Sequence, residues 1–518
     1  MSEIFLKIFV VSVLQNVKLI VYYLNTYTMK KITSLIALTL LLFVQNAVSQ
    51  SVTGTVIDEQ KQPIPYVSIQ VGPTYGVVSN TEGQFVINIP SPADADKVIF
   101  SSIGYESIAI PLSDFKSGAY VLKEQVTVLD PVFITNKKLS PLEILAQVKI
   151  NAPKNYGTQP AKQTFFLRNS YTNKMIDGQF ELVKSSVDKK ATLKELNKEI
   201  EDVMKKLKNQ SSKSYSESYG FLYQQNSESK LLVEKAVELK NRERDVSGEQ
   251  AQSKFIDIVK RYLDPNATYK LKTGLFTIDD SLKVKSAKKD IKPDVKTAYL
   301  KTTITALSSS LNNFYTKDGL DFFTDYKRYT YTLEGYSEYN DETIYILDFK
   351  PAKSSGHYYG KIYVNALDYA VVKLEYNLVD GENESKINLK LLLGVKMMED
   401  RTKVAATFTK NDAGQYSINF IKKQKGNYGY MDRSLKFTKN KVSKDEETNM
   451  LKVDFLIESD TYTTSELFII DKQPITAAEF KNVTEKEKYD INYIAKYDPS
   501  IWKDYNVLAP VDAIKNYN

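Results

Sequence analysis

The sequence predicts a mainly β protein with a helical segment, in which a small seven-stranded β-sandwich precedes an α+β domain with a large antiparallel meander sheet. Short runs rich in Val, Ile and aromatic residues recur between turn residues before position 135. Longer alternating runs follow one another with compact turns after position 266. The chain has 518 residues, which is too long for a single hydrophobic core of ordinary size, so we expect several folded units.

Composition excludes some classes of partner. With 42% hydrophobic and 26% charged residues, the chain has the composition of a globular protein. Its formal net charge is +7, but 70 Lys and Arg are interspersed with 63 Asp and Glu. A nucleic-acid groove needs basic residues clustered on one face, so we expect no nucleic-acid partner.

The chain contains no cysteine and one histidine, His357. Cysteine-ligated metals, thiol nucleophiles and disulfides are therefore impossible, and we predict no cofactor and no metal site. His357 is interpreted as a structural residue, since no Ser or Cys motif accompanies it. Phosphate loops and nucleophile elbows are absent from the sequence as well. We predict no catalytic residues and no enzyme, with a hydrolase that uses carboxylates alone as a remaining alternative.

Residues 29–49 have the three parts of a secretory signal peptide. Lys30 and Lys31 form the charged start, an apolar run follows, and small residues end at Ser49, so that cleavage would leave Gln50 as the N-terminus. Since no cysteine follows, no lipid anchor is expected there.

Residues 1–28 are interpreted as an upstream over-call, with translation starting at Met29. Their apolar stretch is interrupted by polar residues and Lys18, although an inner-membrane anchor is the alternative.

The first folded unit is predicted over residues 50–135, where seven short strands alternate with turns. Gly54, Gly83 and Gly104 lie at or beside strand ends, where a positive φ or a close backbone approach explains glycine. Pro63 and Pro65 precede the second strand, where a missing N–H does least harm.

Three stretches of this unit resemble a known family. The order "GTVIDEQKQPIPYVSIQV", "GVVSNTEGQFVINIP" and "VIFSSIGYESIAIPL" is similar to the carboxypeptidase-regulatory-like domain, a transthyretin-like sandwich found in envelope proteins of Gram-negative bacteria. The resemblance implies the accessory domain without the enzyme, because zinc carboxypeptidases need two His and a Glu around the metal. The matching positions are Gly54, Asp58, Pro63, Pro65, Val67, Gly83, Phe85, Gly104 and Tyr105.

Residues 136–265 are predicted to be a helical segment. Helices are expected to begin at Ser140, Thr192 and Ser247, and Ser140 and Thr192 each have a Glu three residues later, as a capping box requires. The composition of residues 208–220 predicts a loop between helices.

Residues 266–460 are predicted to form the antiparallel meander, including "YYGKIYVN" and "KINLKLLLGV" as strands. Residues 268–460, through the stretch 334–378, also resemble, more weakly, the curved sheet of lipoprotein-carrier proteins of the LolA and LolB type. That resemblance implies a concave face that receives an acyl chain or a hydrophobic peptide. The alternative is that a helix from the middle segment fills the concavity.

Residues 461–518 are predicted to form a C-terminal tail that docks on the core through Trp502, the single tryptophan. The alternative role of Trp502 is stacking on a ligand.

Taken together, the sequence predicts an exported, non-catalytic envelope protein, a periplasmic or outer-membrane-associated binding or assembly factor. The competing interpretation is a surface glycan-binding module that uses exposed aromatic residues. Its partners would be envelope proteins or glycans, with peripheral membrane association through those partners.

Overall fold

The described part of the chain is mainly β, with large antiparallel sheets and helices of at most 18 residues. Residues 1–28 and 29–49, interpreted as an over-call and a signal peptide, lie outside the described residues, and so does Ser49. Within the described part of the chain, no helix is long and apolar enough to cross a membrane. The computed structural model describes residues 50–72, 75–89, 96–125, 139–157, 159–240, 256–274, 276–283, 296–441 and 449–517.

The first domain contains strands β1 to β7 in two small sheets. One sheet has the order β4-β1-β7, with β1 antiparallel to β4 and parallel to β7, and the other has the order β3-β2-β5-β6. Six of the predicted runs form strands, whereas the seventh, residues 126–134, lies outside the described residues and β3 was not predicted. The strands are β1 Gln50–Ile57, β2 Ser68–Val71, β3 Tyr75–Val78, β4 Gln84–Ile89, β5 Lys97–Ser101, β6 Ile108–Pro111 and β7 Gly118–Val121.

Both small sheets contribute to one core. Phe85 is 1% exposed and packs against Phe100 and Phe115, with ring centroids 5.7 and 6.3 Å away. Alternate residues of β4 are buried, as the period of two in a half-exposed strand requires. Phe85, a residue of the family motif, therefore faces the core of the first domain.

The second sheet has fourteen strands among the described residues. Its main path runs β13-β14-β15-β16-β18-β19-β20-β8-β9-β10-β21, while β11, β12 and β17 attach beside it. The strands are β8 Ala161–Ser185, β9 Ser211–Gln225, β10 Glu228–Leu239, β11 Thr268–Thr273, β12 Phe276–Lys283, β13 Tyr329–Tyr339, β14 Glu342–Pro351, β15 Tyr358–Asn365, β16 Val371–Leu378, β17 Ser385–Leu389, β18 Val395–Lys410, β19 Tyr416–Lys439, β20 Met450–Pro474 and β21 Asn492–Ile494.

The predicted meander is confirmed from β13 to β20. Its turns use residues that tolerate a left-handed backbone: Asn340 and Asp341 have φ of 52° and 61°, and Gly414 has φ of 76°. The run "KINLKLLLGV" is not one strand, because it divides into β17 and a short helical turn that ends at Gly394, whose φ is 62°.

The prediction that residues 136–265 form a helical segment is wrong for three long strands within it, β8 to β10. β8 pairs with β20 along almost its whole length and β9 pairs with β8, so the meander continues into this segment. Residues 208–220, predicted to be a loop, provide most of β9. The high serine content predicted a loop, but these serines alternate with Tyr215, Glu217 and Tyr219. An alternation of two residues is the period of a β-strand.

Two of the three predicted helix starts can be compared with the structure. Ser140 and Glu143 form the predicted capping box, and the helix ends at Asn155. The second helix begins two residues before Thr192, with Lys189 as its N-cap and no side-chain cap bond. Ser247 lies outside the described residues, whereas residues 256–261 are helical. The helices are α1 Pro141–Asn155, α2 Lys190–Leu207, α3 Thr297–Asn312, α4 Asp321–Thr324, α5 Lys390–Leu393, α6 Ala477–Asn482 and α7 Asp512–Lys515.

The two faces of the large sheet are covered differently. On one face, α1 and α3 pack their apolar stripes onto the strands, with Val148 and Ile304 fully buried beside Phe165. On the other face, the first domain and the C-terminal tail pack around Phe166 and Trp502. Because Phe165 and Phe166 are neighbours in β8, they point to opposite faces.

Candidate functional site

At two motif positions of the first domain, steric constraints explain why the residue is glycine. A Cβ added to Gly54 would lie 2.6 Å from the ring of Phe85 and 2.7 Å from the carbonyl oxygen of Gly118. Gly83 has φ of 70° and closes the turn after Asn80 with a 3.0 Å backbone hydrogen bond. The predicted structural explanations for both glycines therefore agree with the structure.

The motif residues between β1 and β2 form a tight connection. Asp58 Oδ1 accepts a 2.7 Å hydrogen bond from the backbone N–H of Gln62, and Pro63 forms an isolated bridge with Ile57. Pro65 lies in the turn that leads into β2, and Val67 is fully buried. These residues shape the first domain and present no reactive group.

Gly104 and Tyr105 attach the first domain to the large sheet. Gly104 has φ of 97°, and its N–H donates a 3.0 Å hydrogen bond to Ser337 Oγ in β13. Ser337 Oγ in turn donates to the carbonyl oxygen of Gln125 at 3.2 Å. Tyr105 packs against the domain core and bridges to Glu124. The motif turn is therefore a contact between units as well as a local feature.

A buried polar cluster, which we call the clasp, joins the large sheet to the tail. It comprises Arg168, Glu217, Glu466, Trp502 and the carbonyl groups of Leu508 and Ala509. Arg168 is 1% exposed and donates through Nε to Glu217 at 2.7 Å and through its two Nη atoms to the tail carbonyls at 2.7 and 2.9 Å. Glu466 lies 3.9 Å from Nη1. The guanidinium thus has partners on both carboxylates and the tail, as a buried charge requires.

The first domain also binds the tail at the clasp. Asn80, which is fully buried, donates to the carbonyl oxygens of Ala509 and Pro510 at 3.3 and 3.2 Å. Further along the tail, the N–H of Asp512 donates to Glu82 Oε2 at 2.8 Å. The motif turn before β4 therefore contacts the same tail segment that Arg168 binds.

Trp502 lies inside this interface and is 8% exposed. Its Nε1–H donates a 2.5 Å hydrogen bond to Glu217, and its ring meets Phe166 edge to face at 5.3 Å. A glycan-stacking platform must present a ring face to solvent, so this burial favours the anchor role over ligand stacking.

Tyr66 marks the contact between the first domain and β19. Its ring stacks on Phe420 with centroids 4.5 Å apart, and Lys422 Nζ lies 5.7 Å from the ring centroid. Burial, followed by the charges of Glu466 and Glu375, raises the pKa of Tyr66 far above its usual value. Burial also lowers the pKa of Lys422. Both pKa shifts have the same physical cause: burial at this interface disfavours the charged forms of Tyr66 and Lys422.

A cavity of about 190 Å³ lies between α3 and the sheet, beside the end of α1. Gln163 donates to Gln224 at 3.2 Å within its wall, and Tyr156 donates to the carbonyl oxygen of Val371 at 2.8 Å. Because α1 and α3 cover the rest of this face, the described residues leave no long apolar groove for an acyl chain. The polar groups that line the cavity favour a small polar ligand instead. The polar lining residues are Tyr156, Gln159, Gln163, Gln224, Asn226, Ser308, Asn312, Asn313, Tyr416, Ser417 and Lys472.

An exposed apolar surface, which we call the tip, lies where β17 meets α5. It comprises Ile387, Leu389, Leu391, Leu392 and Met397, which are 53%, 39%, 101%, 82% and 48% exposed. Ile387 is paired directly with Met397 across β17 and β18, so their side chains share one face. A contiguous exposed apolar surface of this kind is a recognised mark of an interaction site.

The turn that carries the leucines of the tip has a fixed geometry. Arg433 Nη1 donates a 2.6 Å hydrogen bond to the carbonyl oxygen of Leu393, and Asp432 N–H donates to that of Gly394 at 2.8 Å. Gly394 has φ of 62° and lies against the backbone of Asp432, where a Cβ would clash. The leucines are thus held outward by specific contacts.

His357 takes part in local contacts only. Its Nδ1 lies 3.3 Å from Glu382 Oε2, and both side chains are about two-fifths exposed, at 41% and 39%. Among the described residues, no three His, Cys, Asp or Glu side chains form a group that could hold a metal ion.

Sequence reasoning predicted that the tail docks through Trp502, but it missed the other residues of the clasp and the whole of the tip. The signal for the clasp is Arg168, a lone charge in the run "TFFLRNS" on the same face as Phe166. The signal for the tip is three consecutive leucines between lysines, which a half-buried strand does not tolerate.

Comparison with known proteins identifies the first domain. The family model of the CarboxypepD_reg-like domain matches residues 52–134. No curated protein matches the chain significantly. Among solved structures, the crystal structure of the P. putida toluene transporter TodX is 8% identical, with 62% of this chain and 92% of that chain covered and a TM-score of 0.08, which carries no argument about the fold. Residues 52–134 of the chain are therefore a CarboxypepD_reg-like domain.

Proposed function

We propose that the chain is an exported, non-catalytic cell-envelope protein that acts as a periplasmic or outer-membrane-associated binding or assembly factor. The observation that carries the proposal is the tip, because a binding factor needs an exposed recognition surface and Leu391 and Leu392 are 101% and 82% exposed on a fixed turn. The leader-like pattern of residues 29–49 supports export.

The first domain supports the same proposal. We infer that it is a transthyretin-like sandwich, since its seven described strands form two sheets around one core. Its motif residues make turns and contacts between units: Gly104 binds β13, and Asn80 binds the tail. In this arrangement the domain stabilises the large sheet that bears the tip, which is an accessory role.

Non-catalytic function is part of the proposal and has a structural argument of its own. The most deeply buried ionic group, Arg168, is engaged by Glu217 and by tail carbonyl groups. Its carboxylate partner also accepts from Trp502. Groups tied in this way hold the fold together, and the cavity that Glu217 and Trp502 line has a volume of only about 10 Å³, which is too small for a substrate.

Fractionation of cells that produce the chain natively tests the proposal. We expect the chain in the envelope fraction, with an N-terminus at Gln50 by mass spectrometry, and we expect envelope components to co-purify with it after crosslinking. A chain that stays in the cytoplasm with residues 29–49 attached would contradict the proposal.

A second candidate function is glycan binding, and the cavity beside α3 is the observation that favours it. Its carboxamides, such as Gln163 and Gln224, and its tyrosine Tyr416 are groups that hydrogen-bond sugar hydroxyls. Isothermal titration with neutral monosaccharides and disaccharides tests this candidate. Binding that is lost on Gln224→Ala would favour it, whereas the absence of any binding heat would remove it.

A further inference from the structure

We propose that the tip docks directly on an anionic lipid surface. This inference rests on the proposed envelope function and deepens it, because it names the partner of the tip as the headgroup layer of a membrane. The tip would insert Leu391 and Leu392 among the acyl chains while its lysines contact lipid phosphates.

The apolar face of the tip continues across four strands. Strand register pairs Leu389 with Val395, Val395 with Met431, and Met431 with Ile457, so the four side chains stand in one row on one face. Ile457 at the end of this row is 44% exposed. Val395 and Met431, between the exposed ends of the row, are half-buried, so the row extends the leucine turn into an apolar strip along one face.

The charges around the tip are complementary to an anionic surface. Residues 386–396 contain three lysines and no acidic residue. Lys390 Nζ lies 3.8 Å from the ring centroid of Tyr430, and Lys396 Nζ lies 5.1 Å from that of Tyr428. Lys386 completes the set. Lys386, Lys396 and the two tyrosines alternate with the apolar residues along the strands, so they lie on the opposite face of the sheet. The leucine turn is thus flanked by basic and amphipathic groups of the kind that are favoured at the membrane interface.

The acidic residues near the base of the tip are engaged by other groups. Tyr428 donates to Glu458 at 2.6 Å, and Tyr430 donates to Asp432 at 3.4 Å. Lys425 pairs with Glu399. Glu399 is thus paired with a cation, and the charged side chains within residues 386–396, which hold the turn, are the three lysines.

The shape of the tip favours a bilayer over a protein groove. Leu391 is fully exposed, at 101%, on the four-residue helical turn that connects β17 to β18. A turn that presents whole leucine side chains to solvent between basic residues is suited to insertion between lipids, in the manner of interfacial anchors.

Vesicle co-sedimentation tests the inference with the chain purified from its native cells. We expect it to bind vesicles of phosphatidylglycerol and phosphatidylethanolamine, and to bind pure phosphatidylcholine vesicles much less. The double substitution Leu391→Ser with Leu392→Ser should weaken binding by more than about tenfold, because two apolar side chains no longer leave water. Replacement of Lys386, Lys390 and Lys396 by Gln should weaken binding to the anionic vesicles only, and added salt should do the same.

The matched control is Leu367→Ser. Leu367 is 76% exposed but lies beside Asp368, which pairs with Lys410 at the opposite end of β18, so binding should be unchanged. Emission from Trp502 reports whether each variant retains its fold.

Two outcomes would overturn the inference: no binding to the anionic vesicles, or binding that the leucine and lysine substitutions leave unchanged. If the chain still fractionates with the envelope in either case, the proposed function stands with a protein as the partner of the tip. A cytoplasmic chain would remove the proposed function whatever the vesicles show.

Discussion

Arg168 is the residue on which the attachment of the tail depends. Its guanidinium is 1% exposed and has charged partners in Glu217 and Glu466. Replacing one partner of a buried ionic group leaves the others desolvated and uncompensated, which costs about 3–5 kcal/mol. We therefore expect Arg168→Leu to lower the free energy of unfolding by about that amount, measured by chemical denaturation.

The control for that measurement is Lys205→Ala. Lys205 pairs with Glu201 at 2.7 Å on the surface of α2, where both side chains are more than three-fifths exposed, at 66% and 62%. Since water screens this pair, the free energy of unfolding should be nearly unchanged. An Arg168 variant as stable as the Lys205 variant would contradict the role of the clasp.

Gly54 and Gly118 provide a second comparison at the residue scale, because they are paired with each other across β1 and β7. A Cβ on Gly54 would lie 2.6 Å from Phe85, whereas one on Gly118 would meet no atom within 4 Å. We expect Gly54→Ala to destabilise the first domain by about 1–3 kcal/mol through overpacking, and Gly118→Ala to have little effect. Thermal unfolding followed by circular dichroism would measure both, and equal effects would refute the steric explanation.

Single residues also show what the sequence can reveal. Gly54, Gly83 and Phe85 were predictable because each has a local reason, a close approach, a turn or a strand period. Arg168 and Glu217 were not, because their partnership depends on two strands that pair in the sheet. It also depends on the carbonyl groups of Leu508 and Ala509 in the tail, 340 and 341 residues after Arg168.

At the scale of elements, helix starts were predictable only where the side chain makes the cap. Ser140 accepts from the N–H of Glu143 at 3.3 Å, but Thr192 lies inside α2, whose N-cap is Lys189. We expect Ser140→Ala to lower the free energy of unfolding by about 1 kcal/mol. Thr192→Ala should have no destabilising effect, because Ala has the higher helix propensity. Denaturation of the two variants would measure this difference, and a loss of stability on Thr192→Ala alone would contradict the assigned helix start.

Strand β9 shows why one class of element was missed. Its serines match the composition of a loop, and only the alternation with Tyr215 and Tyr219 indicates a strand. The pairing of β8 with β20 joins residues about 300 positions apart, such as Asn169 and Ser465. Neither composition nor local periodicity carries that information, so the segment was predicted without its place in the sheet.

At the scale of the whole molecule, the clasp joins three parts that are distant in the chain: the first domain at Asn80, the sheet at Arg168 and the tail at Trp502. Because Trp502 is the single tryptophan, its fluorescence reports the clasp directly. We expect its unfolding transition to coincide with that of the sheet, measured by far-ultraviolet circular dichroism. In the Arg168→Leu variant, the fluorescence transition should occur under milder denaturing conditions than the circular dichroism transition of the sheet. A fluorescence transition that precedes the other in the unmodified chain would show that the tail detaches independently.

These contacts determine which surfaces of the large sheet are covered and which stay exposed. α1 and α3 close one face of the large sheet, and the first domain with the tail closes the other, while the tip at β17 and α5 stays exposed. Buried polar contacts hold the parts in place, and the exposed apolar surface is left for a partner. That arrangement is what we expect of a binding factor with an accessory domain.

The most direct test of this account is the amount of chain that sediments with envelope membranes from native cells. Three forms are compared: the unmodified chain, Leu391→Ser with Leu392→Ser, and the control Leu367→Ser. The account predicts that the unmodified chain and the control sediment with the membranes, and that the double variant moves to the supernatant while Trp502 emission stays unchanged. A double variant that sediments as well as the control would contradict the claim that the chain works at the envelope through its tip.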